Sequence, residues 1–175
     1  MLPPFTPINL QAWLKANRDQ LKPPVGNKCL YRGEDLIVMA VGGPNARKDY
    51  HIDPYEEYFH QLEGDLLLKL LIDDKPVDVR VREGETLLLP RRVPHSPRRG
   101  PGTLGLVIER PRLPEDFDGF LWACEACGLK LHEVTLPVSD LETQLAEAFA
   151  KFWSGEATQR TCKSCGTVME PPHAT

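Results

Sequence analysis

No uninterrupted apolar run in these 175 residues approaches the roughly 18 that a membrane-crossing helix needs. Positive charge is not in excess either: 21 Lys and Arg against 25 Asp and Glu leave a formal net charge of −4. That balance excludes a general attraction for nucleic acid or for an anionic membrane surface. The N-terminal "MLPPFTPINL" lacks the basic and apolar regions of a signal peptide. A cytoplasmic protein is therefore expected, and its five cysteines call for an explanation other than disulfides. Internal repeats and low-complexity segments are missing, and helix-forming patterns are few.

What the chain has in quantity is punctuation. Seventeen prolines and thirteen glycines favour many short strands over long helices. The first segment, "NLQAWLKANRDQL", is an exception, with Leu10, Trp13, Leu14 and Leu21 near helical spacing, Asn9 as N-cap and "KPPVGN" as terminator. From Cys29 to about Arg110 the pattern predicts strands at "DLIVMAVGG", "YEEYFHQLEG", "DLLLKLLID", "PVDVRVREG", "ETLLLP" and "LGLVIER". The turns between them are "DDKP", "EGE" and "GPGT". "VDVRVRE" alternates apolar and polar residues, so one face of its sheet is wet. This spacing predicts an antiparallel sandwich or barrel. After "RPRLPEDFDG" the pattern changes, and "SDLETQLAEAFAKFWSG" reads as an amphipathic helix. Its capping box pairs Ser139 with Glu142, and Gly155 ends it. The organisation expected is a barrel with its N-terminal helix over residues 1–115 and a C-terminal extension over 116–175, together one compact unit.

The stretch His51 to Gly64, "HIDPYEEYFHQLEG", packs two histidines and four acids between apolar runs. A polar hairpin tip accounts for it, and so does a metal site. On one straight strand the six-residue step from His51 to Glu57 spans about 20 Å, too far for two ligands of one ion. The metal reading thus requires a bend, which Asp53-Pro54 supplies as a turn initiator. A second stretch, "GETLLLPRRVPHSPRRG", fixes the backbone around His95 between Pro94 and Pro97.

Together these stretches resemble the two motifs of the cupin superfamily. His51, Asp53, Glu57 and Gly64 take the positions of the first motif, and Gly84, Pro90, Arg92, His95 and Arg99 those of the second. Three residues depart from the usual pattern: Asp53 stands for a histidine, Arg92 for a glycine and Arg99 for an asparagine. The resemblance leaves His51, Glu57 and His95 as ligands, the two-imidazole, one-carboxylate set of non-heme Fe(II) oxygenases. His60 is the rival ligand, but three residues from Glu57 on a strand it points to the other face. Asp53 is a further candidate, for which a turn role is favoured.

The cysteines form two C-x-x-C knuckles, "CEAC" at Cys124 and Cys127 and "CKSC" at Cys162 and Cys165. A glycine follows each, Gly128 and Gly166, free to adopt positive φ so that loop amides turn toward sulfur. Four thiolates so arranged suit a closed, structural tetrahedral site for iron or zinc; a redox dithiol is the competing reading. Cys29 is left over and is expected to be buried as a small apolar residue.

The whole chain resembles the bacterial 3-hydroxyanthranilate 3,4-dioxygenase family. The residues that carry this are "NARKDYHIDPYEEYFHQLEGD", "LPRRVPHSPRR", "LVIER" and "FLWACEACG" with "TCKSCG". The resemblance implies a small cupin barrel that dimerises, with a rubredoxin-like four-cysteine metal site stapling its C-terminal helix. It also implies an Fe(II)-dependent, extradiol-type ring opening with O2, giving 2-amino-3-carboxymuconate semialdehyde, which cyclises to quinolinate. Carried over by position, Arg47, Arg99 and Glu109 act on the substrate, with Val25, Asn27 and Phe59 around its ring.

The residue chemistry agrees with that assignment. Arginine presents a planar fork to a carboxylate. Arg47 and Arg99 each lie an even four residues from a ligand histidine, which puts them on its face if the backbone is extended. Glu109 ends the apolar run "LGLVIE", where a carboxylate is otherwise out of place, and can serve as acceptor or base. Arg91, Arg92, Arg98 and Arg110 are better placed for solvent. Two other classes stay open: a cupin that senses or binds a ligand without turnover, and a sugar isomerase-type cupin. A zinc ribbon on a nucleic-acid protein is disfavoured by the acidic balance.

Overall fold

The computed structural model describes residues 6–22, 26–137 and 149–172. Strands β1 (Asn27–Arg32), β2 (Ile37–Gly42), β3 (Tyr50–Ile52) and β4 (Glu57–Glu63) are followed by β5 (Leu66–Ile72), β6 (Lys75–Val81) and β7 (Thr86–Leu89). Then come β8 (His95–Arg99), β9 (Leu104–Glu109), β10 (Asp118–Ala123) and β11 (Lys130–Leu136). They form a five-stranded sheet in the order β1-β2-β9-β4-β7 and a six-stranded sheet in the order β11-β10-β3-β8-β5-β6. The pairings are antiparallel, so the expected antiparallel sandwich is what forms. None of the described helices is long and apolar enough to cross a membrane.

The three expected turns are present. Asp73 and Asp74, at φ 50° and 60°, make the two-residue turn between β5 and β6 that strand twist favours. Gly84 and Gly102 also take positive φ, before β7 and before β9. β6 is more exposed than its alternation suggested, because it is the edge of its sheet.

Five strands lie outside the pattern expected from sequence: β1, β3, β8, β10 and β11. The prolines around His95 were expected to fix its backbone, and His95–Arg99 is extended, as the four-residue argument for Arg99 requires. Its neighbour β3 is short and pairs with it only at His51↔His95. Asn45 does the work of a longer β3, donating from its backbone amide to Arg99 O (3.0 Å) and from Nδ2 to Pro97 O (2.9 Å). Its Oδ1 accepts from the Arg99 amide at 3.1 Å.

Between the sheets lies a core of Phe59, Leu66, Leu68, Leu70, Val81, Leu89 and Val107. The N-terminal segment is helical over Leu10–Asn17 and continues as a 3-10 turn, Arg18–Leu21. Asn9 caps it as expected, its Oδ1 accepting from the Ala12 amide at 2.9 Å. Leu14 and Leu21 pack with Ala40 and Leu104 on the outer face of the five-stranded sheet. The Ser139–Glu142 capping box lies outside the described residues. Residues 149–154 are helical and end at Gly155, as expected. Phe149 and Phe152 there pack on Phe120, Trp122 and Met169.

Candidate active site and metal centres

His51 and His95 are direct cross-strand partners on β3 and β8, with ring centroids 5.2 Å apart. Glu57 opens β4 in the opposite sheet. The chain crosses between sheets through the turn at 53–56, so the required bend is the crossover itself. Asp53 builds that turn, its Oδ1 accepting from the Tyr55 amide at 2.6 Å. His51, Glu57 and His95 are 8%, 4% and 2% exposed. One ligand atom from each lies within 4.8 Å of the others.

The donor chemistry fits a divalent cation. His95 Nδ1 donates to Val93 O at 2.9 Å, which leaves Nε2 turned toward Glu57 Oε2, 2.6 Å away. Apart from that ring nitrogen, the buried carboxylate oxygen has no hydrogen-bond partner among the described residues. Two lone-pair atoms so close need a positive charge between them. In the metal-free protein a proton supplies it. Burial alone would push both groups toward neutrality; the Glu57 charge and contact instead raise His95, and His95 with His51 and Arg112 hold Glu57 at about 2. Burial lowers His51, which favours the neutral imidazole that ligates metal. His60 lies on the other face of β4, as strand parity required.

Behind the triad runs a charged network in which the sequence reading selected Glu109 and Asp53 but not Asp118 or Arg112. Asp118 Oδ2 lies 2.7 Å from His51 Nε2. Arg112 donates through Nε to Asp118 Oδ1 (2.8 Å) and through Nη2 to Asp118 Oδ2 (2.8 Å) and Asp53 Oδ2 (2.6 Å). Its Nη1 reaches Glu109 Oε1 at 3.4 Å. Three buried carboxylates thus share one buried guanidinium. Burial pushes Glu109 up to about 8 and Asp53 up to about 7, against the pull of Arg112. Asp118 behaves oppositely: burial raises it, but the His51 and Arg112 hydrogen bonds outweigh that and lower it. A sequence signal existed. Asp118 stands just before the apolar run "GFLWA", as Glu109 stands at the end of "LGLVIE".

Cross-strand register defines the inner wall of the five-stranded sheet. Glu109 is opposite Ile37 and one pair along from Tyr58↔Ile108, which sets it beside Glu57. Phe59 sits between Val107 and Leu87, 6.2 Å from the His95 ring. Asn27 faces the same way opposite Val41 but is exposed, at the open side of the sandwich. Cys29 lies on that open side too and is exposed, not buried; β1 is an edge strand, and among the described residues no opposing strand covers it. Val25 lies outside the described residues.

The two arginines differ. Arg47 sits in irregular backbone before β3, not in the extended strand that the four-residue argument assumed, and is paired with buried Asp49. Its charge still acts on Glu57 and His95. Arg99 is 3% exposed on the inner face of β8, and among the described residues its guanidinium has one side-chain partner, the neutral Gln61 Oε1 at 3.0 Å. Burial alone lowers it, to about 10. Arg98 is half-buried on the opposite face; Arg91, Arg92 and Arg110 are exposed. Arg92 keeps the left-handed backbone (φ 61°) of the glycine that usually holds its motif position.

The four knuckle cysteines converge at the far end of β10. Sγ atoms of Cys124 and Cys165 are 3.6 Å apart, and those of Cys127 and Cys162 are 3.5 Å apart. Disulfide sulfurs would stand about 2.0 Å apart, whereas four thiolates at about 2.3 Å from one ion stand about 3.8 Å from each other. The knuckles repeat one geometry. Gly128 and Gly166, at φ 78° and 75°, donate to Cys124 O and Cys162 O, each at 2.9 Å. The Thr167 hydroxyl and amide lower Cys165 to about 6, toward the thiolate a metal requires.

A family model for 3-hydroxyanthranilic acid dioxygenase matches residues 2–153. A 3-hydroxyanthranilate 3,4-dioxygenase of Xanthomonas campestris pv. campestris is 49% identical over 166 residues, covering 95% of this chain and 93% of the relative. One from Candida albicans is 46% identical, covering 93% of this chain and 94% of the relative. Among solved structures, a cupin-2 domain containing protein from Shewanella frigidimarina aligns at 18% identity and TM-score 0.43, over 49% of this chain and 79% of that one. With a family model spanning most of its length and relatives near half identical end to end, the chain belongs to the 3-hydroxyanthranilic acid dioxygenase family.

Proposed function

We propose that this protein is a metal-dependent dioxygenase that opens the ring of 3-hydroxyanthranilate with O2, giving 2-amino-3-carboxymuconate semialdehyde. The observation that carries the substrate is Arg99: a buried guanidinium facing the interior whose one side-chain partner among the described residues is neutral. Buried charges are ordinarily paired, so this position calls for an anionic ligand. The ring carboxylate supplies one, and arginine's fork matches it.

His51, Glu57 and His95 would hold Fe(II), and such a triad leaves open positions for an organic ligand and O2. When bound, the iron supplies the redox chemistry by which both oxygen atoms enter the product. The chain's own residues do the rest. Phe59 walls the ring, and Arg47, next to the triad and already paired with Asp49, would offer the substrate its remaining guanidinium N–H donor rather than net charge. Glu109 retains its proton at neutral pH in the metal-free protein, its pKa raised by burial to about 8. It therefore meets the substrate's amino or hydroxyl edge as a hydrogen-bonding group. Fe(II) held by the neighbouring triad would favour the carboxylate form of Glu109, which would then accept the substrate's hydroxyl proton. The four cysteines would hold iron or zinc as a closed structural site. The homodimer implied by the family resemblance belongs to this proposal.

The test is an anaerobic titration of the Fe(II)-loaded protein with 3-hydroxyanthranilate, followed by admission of O2. Saturable binding and one O2 consumed per ring opened are expected. Binding without substrate-dependent oxygen uptake would leave a ligand-binding module as the reading.

A further inference from the structure

The neutral partner of Arg99 is itself built in. Gln61 is 1% exposed, and its Nε2 donates to Glu63 O at 3.0 Å, which turns Oε1 toward Arg99. That contact joins the two sheets, Gln61 on β4 and Arg99 on β8. Directly opposite Gln61 on β9 is Gly105. A Cβ there would stand 2.8 Å from Gln61 Oε1 and 3.1 Å from Arg99 Nη1, so only glycine leaves room for the pair. The Arg99 backbone is held separately, by Asn45. Gln61 therefore acts on the guanidinium alone. Arg99 Nε is buried with no partner among the described residues.

A glutamate in place of Gln61 would fill the same volume and accept the same bond from Arg99, but it would neutralise the arginine and give up the bond to Glu63 O. A buried arginine with an internal counter-charge gains little from a second anion. We propose that Gln61, with Gly105 making its space, is a specificity-determining positioning residue. It aims Arg99 while leaving the positive charge uncompensated, so that the site selects an aromatic acid over the same ring without its carboxylate. The inference rests on the reading of Arg99 as the carboxylate's partner. It adds that selectivity is set by the neutrality of a side chain that touches no substrate.

The experiment compares two ligands in anaerobic, Fe(II)-loaded protein by calorimetry. One is 3-hydroxyanthranilate. The other is 2-aminophenol, which keeps the amino and hydroxyl edge and lacks the carboxylate. The parent should prefer the acid. Gln61→Glu should weaken the acid by about 10- to 150-fold, the range for a lost hydrogen bond to a charged group, and leave 2-aminophenol within about 2-fold. Should the glutamate variant not fold, Gln61→Leu tests the aiming role, with the same selective loss expected. Unchanged preference in a folded variant, or equal losses for both ligands, overturns the part assigned to Gln61. A parent that does not prefer the acid overturns the reading of Arg99 as well, so the two failures are distinguishable.

Discussion

Asp118 Oδ2 stands 2.7 Å from His51 Nε2, and Arg112 grips both oxygens of that carboxylate. His51 is thus oriented from two sides, by Asp118 at its edge and by Phe120 stacked on its face, with ring centroids 5.1 Å apart. Partners of this kind fix the ring of a metal-binding histidine and set its basicity.

Asp118→Asn should therefore lower metal affinity at the triad by about 10- to 100-fold while leaving the four-cysteine site loaded. Arg112→Met should act on folding instead. It strands Asp118, Asp53 and Glu109 in the interior, at a cost of about 3–5 kcal/mol. Metal titration of the first variant and denaturant melts of the second check the two expectations. Equal metal affinity in Asp118→Asn would remove Asp118 from the metal site.

Arg99→Ala should weaken 3-hydroxyanthranilate by about 10- to 150-fold without changing iron content, because the arginine is no ligand. Arg98→Ala, on the opposite face of β8, should change neither. Binding isotherms beside elemental analysis decide the matter. A loss confined to Arg98→Ala would place the carboxylate elsewhere.

Stability of the metal-free protein should depend on pH through Glu109. Its folded-state pKa, about 8, lies above the ordinary 4.5. Between those values the folded chain holds a proton that the unfolded chain has released. Stability from this group is therefore complete at low pH and is lost as pH rises through about 8, with a slope of up to about 1.4 kcal/mol per pH unit. Asp53, raised to about 7, adds a slope of the same sign. Glu109→Gln should remove its own share, so the parent-minus-variant difference isolates it. Melts between pH 5 and 9 that run parallel for both proteins would show Glu109 ionised throughout.

Cys162→Ser should loosen the knuckle pair and lower stability, because metal affinity at such a site is folding free energy. Iron chemistry at the triad should survive in the protein that remains folded. Whole-protein elemental analysis should give about two metals per chain for the parent and about one for the variant. A folded variant that binds iron and substrate normally yet does not turn over would give the sulfur site more than a structural role.

Arg92 holds a left-handed conformation with an exposed side chain, and its amide donates to Asp53 O at 2.8 Å. That conformation costs a residue with a Cβ about 1–2 kcal/mol, whereas glycine gives back roughly 0.5–1 kcal/mol in chain entropy. Arg92→Gly should therefore leave stability unchanged or raise it by up to about 1.5 kcal/mol, and Arg92→Val should lower it. Chemical denaturation of the two variants measures the difference. A clear loss in the glycine variant would mean that the arginine side chain makes contacts of its own.

The knuckle loops, the turns and six of the eleven strands were legible in the sequence, because each rests on local rules. Strand parity put His60 outside and Glu57 inside, and the turns followed from Asp-Asp and glycine signals. C-x-x-C with a following glycine describes its own loop, since the amide geometry is set within five residues. Even the turn role of Asp53 follows from local hydrogen bonding.

Tertiary structure alone decided what depends on pairing between distant segments. β8 is a strand because β5 pairs along its whole length, from Leu66↔Arg99 to Leu70↔His95, while Asn45, some fifty residues earlier, completes its other edge around Pro97. His51 faces His95 because β3 and β8 are neighbours, which no local pattern encodes. Arg112 reads as one more surface arginine in "RPRLPEDFDG" until the fold closes three carboxylates around it. Arg99 and Gln61 meet only because two sheets pack face to face, 38 residues apart in the chain. Charge compensation in an interior is a sum over everything that packs there. Which arginine is already neutralised and which still awaits an anion is therefore a property of the folded molecule, not of any stretch of its sequence.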